Sequence, residues 1–186
     1  NNREKVRTSR CKKYKISQDT FLICTGGKID LNKNIHILMD AISELPEVTL
    51  IVFGTPLPDV EHEFTKLSKL SNVRSIGWIE SDKVYDLFIA SDLVIFPGTH
   101  SVLWEQAVAS GTPCIFKYYD GMTHVDVGGN CKFLYDDSSL EIYEAINQLL
   151  QDNELYKSMC ISAEEKGIKE FSYIEIAKRS IGITGE

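Results

Sequence analysis

Short apolar runs alternate with amphipathic stretches along most of this chain. Residues 20–25, 48–53, 73–76, 93–96, 113–116 and 132–134 read as short strands, apolar nearly throughout. Between them, apolar positions recur at helical spacing. Ile35, Leu38, Ile42 and Leu45, with Met39 beside them, mark one helix. Phe64, Leu67 and Leu70 mark another over 61–70, and Val84, Leu87 and Phe88 a third over 82–90. Further helices are predicted over 101–110, 139–151, 153–169 and 173–181. A strand that is apolar on both sides needs cover on both faces, and the intervening helices supply it. The expectation is an α/β fold: a doubly wound, mostly parallel, Rossmann-like sheet of about six strands with helices on both faces. Ligands of such sheets bind in loops at the carboxyl ends of the strands. The loops to inspect are therefore 26–33, 54–58, 77–79, 97–102 and 117–130.

Length and composition narrow this picture little. At 186 residues, with 43% hydrophobic and 25% charged residues, the chain suits one domain with a normal core. No apolar run approaches the ~20 residues of a membrane-spanning helix. The start of the chain is polar and basic and lacks Met, so it reads as a fragment or processed piece without a signal peptide. Cys11, Cys24, Cys114, Cys131 and Cys160 are odd in number and contain no CxxC pair. That argues against a disulfide framework or zinc site, and for a reducing, cytoplasmic location. Cys24 and Cys114 read as core residues.

Charge is distributed unevenly. Arg3, Lys5, Arg7, Arg10, Lys12, Lys13 and Lys15 crowd the start, while the net charge is −7. Residues 1–18 read as a solvated basic linker helix. The alternative is contact with a missing domain or with anionic lipid, peripheral to the inner face of a membrane. An acidic body excludes nucleic acid as the natural partner.

Two loops carry candidate chemistry. The first is Gly26-Gly27-Lys28-Ile29-Asp30-Leu31-Asn32-Lys33-Asn34. A glycine pair after a strand lets backbone approach a ligand closely. Lys28 and Lys33 bracket the loop and can reach a diphosphate from two sides, although solvated loop lysines have the same spacing. The second runs from Phe96-Pro97-Gly98-Thr99-His100 into the helix predicted from Ser101, Ser101-Val102-Leu103-Trp104-Glu105-Gln106-Ala107-Val108-Ala109-Ser110, and ends at Gly111-Thr112-Pro113. The first amides of a helix lack internal partners and attract an anion. Glu105, one turn in, can accept hydrogen bonds from a ribose diol, though a solvated helix position is the commoner role. His124 and Asp126, in the glycine-rich loop 121–130, face the same edge or merely order that loop. Asp30 and Asp92 read as turn and cap residues.

In order and separation, the segments GG-K-x4-K, VFG, NVRSIGWI, ASDLVIFPG and WEQAVASGTPCI resemble the C-terminal domain of retaining glycosyltransferase family 4, one half of a GT-B enzyme. The resemblance covers residues 21–150. It implies that Lys28 and Lys33 grip the donor diphosphate and that Glu105 binds the ribose. It implies further that Gly77, Trp78 and Ile79 hold the base and that Gly98, Thr99, Ser101 and Val102 offer backbone amides to the distal phosphate. Gly26, Gly27 and Gly54 would line the same edge. One departure stands out: Pro97 occupies the place of the family's first motif Glu, which normally touches the donor sugar. His100 is the polar residue nearest that gap.

The implied substrates are a nucleoside diphosphate sugar, UDP-sugar favoured, and a saccharide or lipid-linked acceptor, in polysaccharide or lipid-linked oligosaccharide synthesis. No cofactor and no metal are expected, because fixed cations serve the diphosphate and there is no DxD-type cluster. Residues 19–170 would form the donor-binding domain, and 171–186 a helix packing toward a missing N-terminal domain. The fragment alone would bind nucleotide without turnover. Two other readings stay open. One is a non-catalytic nucleotide-sugar-binding or interaction module, half of a two-chain enzyme. The other is a nucleotide-sugar epimerase, for which acid and base carboxylates cannot be placed. A response-regulator-like domain lacks its acidic cluster here.

Overall fold

The computed structural model describes residues 2–171. Its centre is a six-stranded, all-parallel sheet in the order β3-β2-β1-β4-β5-β6. The strands are β1 (Phe21–Gly26), β2 (Val48–Phe53), β3 (Val73–Gly77), β4 (Leu93–Phe96), β5 (Cys114–Lys117) and β6 (Cys131–Leu134). The chain winds outward from β1 to β3, then returns to place β4 against the other side of β1. This reversal leaves a crevice beyond the carboxyl ends of β1 and β4, the usual ligand position in open parallel sheets.

Alternation along each strand builds two cores. Ile23, Leu50, Val52, Leu93 and Ile95 face one layer, with α2 (Ile35–Ile42), α3 (Glu61–Leu67) and α6 (Ser139–Gln151). Leu22, Cys24, Ile51, Phe53, Val94 and Phe96 face the other, with α1 (Asn2–Tyr14), α4 (Ser81–Ala90) and α5 (Leu103–Ala109). The four inner strands β1, β2, β4 and β5 are buried on both faces over most of their length, which is why their runs are continuously apolar, whereas the edge strands β3 and β6 are mostly half-buried or exposed. Helix α6 starts where the Ser138 hydroxyl accepts from the Glu141 amide, and α7 (Asn153–Ser162) where Asp152 accepts from Leu155.

The structure departs from expectation at the start of the chain. Helix α1 is docked, not a solvated linker. Arg7 donates to Ala90 O, Gln18 O and Thr20 O and pairs with Asp92 at 2.9 Å. Arg3 donates to Ser91 O and Gly111 O, and Arg10 pairs with Asp86. Cys11 is buried beneath them. The arginines thus satisfy carbonyls around the end of α4, a role that composition alone does not reveal. Asp92 is not a helix cap; it also accepts from the Leu22 amide at 2.7 Å, tying α1 to β1.

The stretch predicted as one helix over 153–169 is α7, a π-helical turn over Ala163–Gly167, and α8 (Ile168–Phe171). The wide turn falls where Gly167 backs onto the Val108 carbonyl, so that a Cβ there would sit 2.7 Å from it. The helix predicted over 173–181, like nearly all of 171–186, lies outside the described residues. Among the described residues, no helix is long and apolar enough to cross a membrane.

Candidate functional site

The site grows from the crevice between β1 and β4. Gly98, just past β4, lies so close to the 3-10 turn Leu31–Lys33 that a Cβ on it would fall 2.2 Å from Asn32 O. The Thr99 amide donates to that same carbonyl at 2.9 Å. Gly98 is therefore required by the approach of two loops. Gly54 behaves alike on the other side, where a Cβ would meet Gly27 O at 2.0 Å.

Across this junction the Lys33 ammonium donates to Thr99 O at 2.7 Å and His100 O at 3.1 Å. Helix α5 opens at Leu103, two residues later than the spacing predicts. Ser101 keeps one helix-like role, accepting from the Trp104 amide at 3.0 Å. Val102 is 67% exposed and points into solvent.

Lys28 stands nearby, with its ammonium 3.0 Å from Asp30. That ion pair, rather than a cap hydrogen bond, occupies Asp30. Lys28 and Gly27 line a cavity of about 500 Å³ together with Gly54, Thr55, Trp78, Ile79 and Leu103. Trp78 is 73% exposed at its mouth. Gly77 contributes its carbonyl to the Gly54 amide at 2.8 Å, and Gly26 is packed under Phe53.

The third part is a three-residue cluster. His100 and His124 each place Nε2 2.9 Å from the same oxygen of Glu105, Oε1. Oε2 of Glu105 is buried and has no partner among the described residues. Trp104, fully buried and stacked on Phe116 at 4.5 Å, meets the His100 ring edge-on at 4.9 Å. Asp126 accepts from the amides of Gly128 and Gly129 and so orders the loop that carries His124.

Local fields follow from this packing. Burial lowers the Lys33 ammonium below the ordinary lysine value; Asp30 opposes the shift and the neighbouring Lys28 charge adds to it. Two cations close enough to disfavour each other suit a dianionic ligand. Burial pushes the Glu105 carboxyl up, but hydrogen bonds from His124, His100 and its own backbone outweigh burial and leave it below the usual range.

Residues 6–166 match the family of glycosyl transferases group 1. The chain belongs to this family. As a group 1 glycosyl transferase it is similar to the alpha-maltose-1-phosphate synthase of Mycolicibacterium smegmatis, at 24% identity over 181 residues, covering 87% of this chain and 47% of that protein. The chain spans about half the length of the curated relatives it matches. Its fold is similar to that of Anabaena Alr3699/HepE, solved in complex with UDP-glucose, with a TM-score of 0.79 at 20% identity, covering 94% of this chain and 51% of that one. It is also similar to the C-terminal domain of a glycosyl transferase group 1 protein, LpcC, from Francisella tularensis, with a TM-score of 0.73 at 19% identity over 91% of this chain and 93% of that domain. The fold is thus that of a GT-B C-terminal domain, with the Rossmann-like sheet expected from the apolar pattern.

The structure gathers Lys33, Gly98, Thr99, His100 and Glu105 in one group, and Lys28, Gly27, Gly54, Trp78 and Ile79 around the adjoining cavity. Leu103 joins the two, lining the cavity while its Cδ1 lies 2.8 Å from where a Gly27 Cβ would be. Two neighbours of this candidate site, Thr55 and Asn34, were given no role from sequence. Thr55 lines the cavity without a recognisable motif. Asn34, in the left-handed conformation, bridges Pro97 O at 3.2 Å and Asp137 at 2.7 Å. An Asn directly before a helix is a legible cap signal, yet here its side chain braces the β4 loop.

Proposed function

We propose that this domain binds a nucleoside diphosphate sugar and serves as the donor half of a retaining GT-B glycosyltransferase. The observation that carries the reading is the position of the Lys33 ammonium. It bridges the β1 and β4 loops at the sheet's switch point, holding the carbonyl of His100, whose ring meets Glu105, and the cavity lined by Lys28 adjoins the β1 loop. Lys33 and Lys28 then offer fixed positive charge to the diphosphate. The amides of residues 100–103, outside the backbone hydrogen bonds among the described residues, offer donors to its distal phosphate. Glu105 accepts from the ribose diol, and the base lies in the cavity under Trp78 and Ile79.

In the transfer step the bond from the anomeric carbon to the diphosphate oxygen breaks, and negative charge grows on the leaving diphosphate. Preorganised cations and amides stabilise that charge most where it develops. The sugar passes to a hydroxyl of a saccharide or lipid-linked acceptor. Turnover requires a second, acceptor-binding half facing this edge. UDP is the favoured nucleotide, supported by the UDP-glucose bound to Alr3699/HepE. Pro97 gives the donor sugar only a carbonyl already held by Asn34, so His100 is the side chain placed to meet the sugar.

Calorimetry of the domain against UDP, GDP and ADP, then against UDP-sugars, tests the reading. Saturable binding of UDP, strengthened or retained with an attached sugar, is expected. Absence of binding to all three nucleotides by the folded domain refutes it.

A further inference from the structure

We propose that His100, Glu105 and His124 form a binding site for a divalent transition-metal ion, with Zn2+ the ion that fits. One ligand atom from each residue lies within 4.8 Å of the other two. Both imidazole Nε2 atoms are 2.9 Å from Glu105 Oε1. Tetrahedral zinc, with bonds of about 2.0–2.1 Å, holds neighbouring ligands roughly 3.4 Å apart. The two contacts need to open by only about half an ångström to admit the ion. The two imidazole nitrogens, within 4.8 Å of each other, need to come to the same spacing.

The donor set decides the class of ion. Two imidazoles and one carboxylate suit zinc and its neighbours in the first transition row, whereas magnesium and calcium prefer oxygen alone. The supports are firm. Glu105 rides on α5. His100 rests edge-on against Trp104, which is itself clamped on Phe116. His124 stands on a loop pinned by Asp126 and by Asn130, whose side-chain Oδ1 accepts from the Val127 amide at 2.7 Å. Its side chain is 48% exposed, so a fourth position opens to water.

The metal site stands independently of the donor reading, but one consequence rests on that reading. An ion here takes the carboxylate assigned above to the ribose. Zinc and the nucleoside then compete.

The test titrates Zn2+ into the metal-stripped domain by calorimetry, and Co2+ by visible absorption. One equivalent is expected on the wild-type chain. Binding is expected to weaken at least tenfold in His124→Ala and in His100→Ala, and to persist in His62→Ala, at an exposed position of α3 outside the cluster. Circular dichroism checks each variant; if His100→Ala does not fold, His124→Gln on the exposed loop carries the test. No saturable binding by the folded wild type, or binding of equal strength in the histidine variants, overturns the site. Uridine, which has no phosphates to chelate zinc, separates the two proposals. Loss of uridine affinity on saturation with zinc supports shared use of Glu105. Zinc binding with unchanged uridine affinity keeps the metal site and counts against the ribose role.

Discussion

The Lys33 ammonium lies 2.7 Å from the carbonyl oxygen of Thr99, 66 residues further along the chain. This contact joins the loop after β1 to the loop after β4. It holds a charged donor at the switch point while leaving one ammonium proton for a ligand.

Lys33→Ala is expected to reduce UDP affinity about tenfold or more, as loss of a charged hydrogen bond of ~1.5–3 kcal/mol implies. The fold should survive, because α5 and the sheet keep their apolar cover. Calorimetry with UDP alongside a thermal melt measures both. Unchanged affinity would remove Lys33 from the diphosphate grip.

Alkaline pH provides a second handle on the same residue. Burial lowers the Lys33 pKa below 10.5, and the charged form is the one that binds phosphate. UDP affinity should therefore fall as pH rises through this lowered value, at a lower pH than for an ordinary lysine. For folding the sign is opposite: the unfolded chain binds the extra proton in that window, so this residue's contribution to stability rises with pH there. Lys33→Arg keeps its charge and should flatten the alkaline limb of UDP binding. A limb of identical position in both proteins would assign it to another group.

Glu105→Ala should weaken UDP and uridine by about tenfold, the worth of a charge-assisted hydrogen bond, and leave pyrophosphate nearly unaffected. Parallel titrations with the three ligands make the comparison. An equal loss for pyrophosphate would show that the carboxylate shapes the phosphate site and not the ribose contact.

Gly98→Ala places a methyl group 2.2 Å from Asn32 O. The two loops must separate, at a cost of about 1–3 kcal/mol by analogy with overpacked cores. A lowered melting temperature together with weakened UDP binding is expected. A variant with wild-type stability would mean that the junction is looser than the structure describes.

Arg7→Ala removes donors to three carbonyls and the partner of Asp92. A loss of about 1–3 kcal/mol is expected, with faster hydrogen exchange in α1 than in α4. Lys5→Ala, at an exposed position of the same helix, should change neither.

The order of strands and helices was legible because continuously apolar runs must be covered on both faces. The six strands fall where those runs lie, within a residue or so at each end. The Gly26-Gly27 and Pro97-Gly98 turns were legible too, since only small or rigid residues end buried strands so sharply. Less visible were the docking of α1 and the late start of α5. Arginines that cap carbonyls look like arginines in water until the carbonyls are placed. Helix α5 begins at Leu103 and not at Ser101, a boundary that apolar spacing does not fix.

Local pattern alone determined that this chain folds as a parallel α/β sheet and made the loops after β1 and β4 the candidate site. Burial of apolar residues at fixed periods is enough for that. Tertiary structure alone decided that His124 and His100 share one oxygen of Glu105, and which carbonyls Lys33 holds. The Lys33 and His124 contacts join separate elements of the chain, and their distances depend on how the loops meet at the sheet edge, which no local period records.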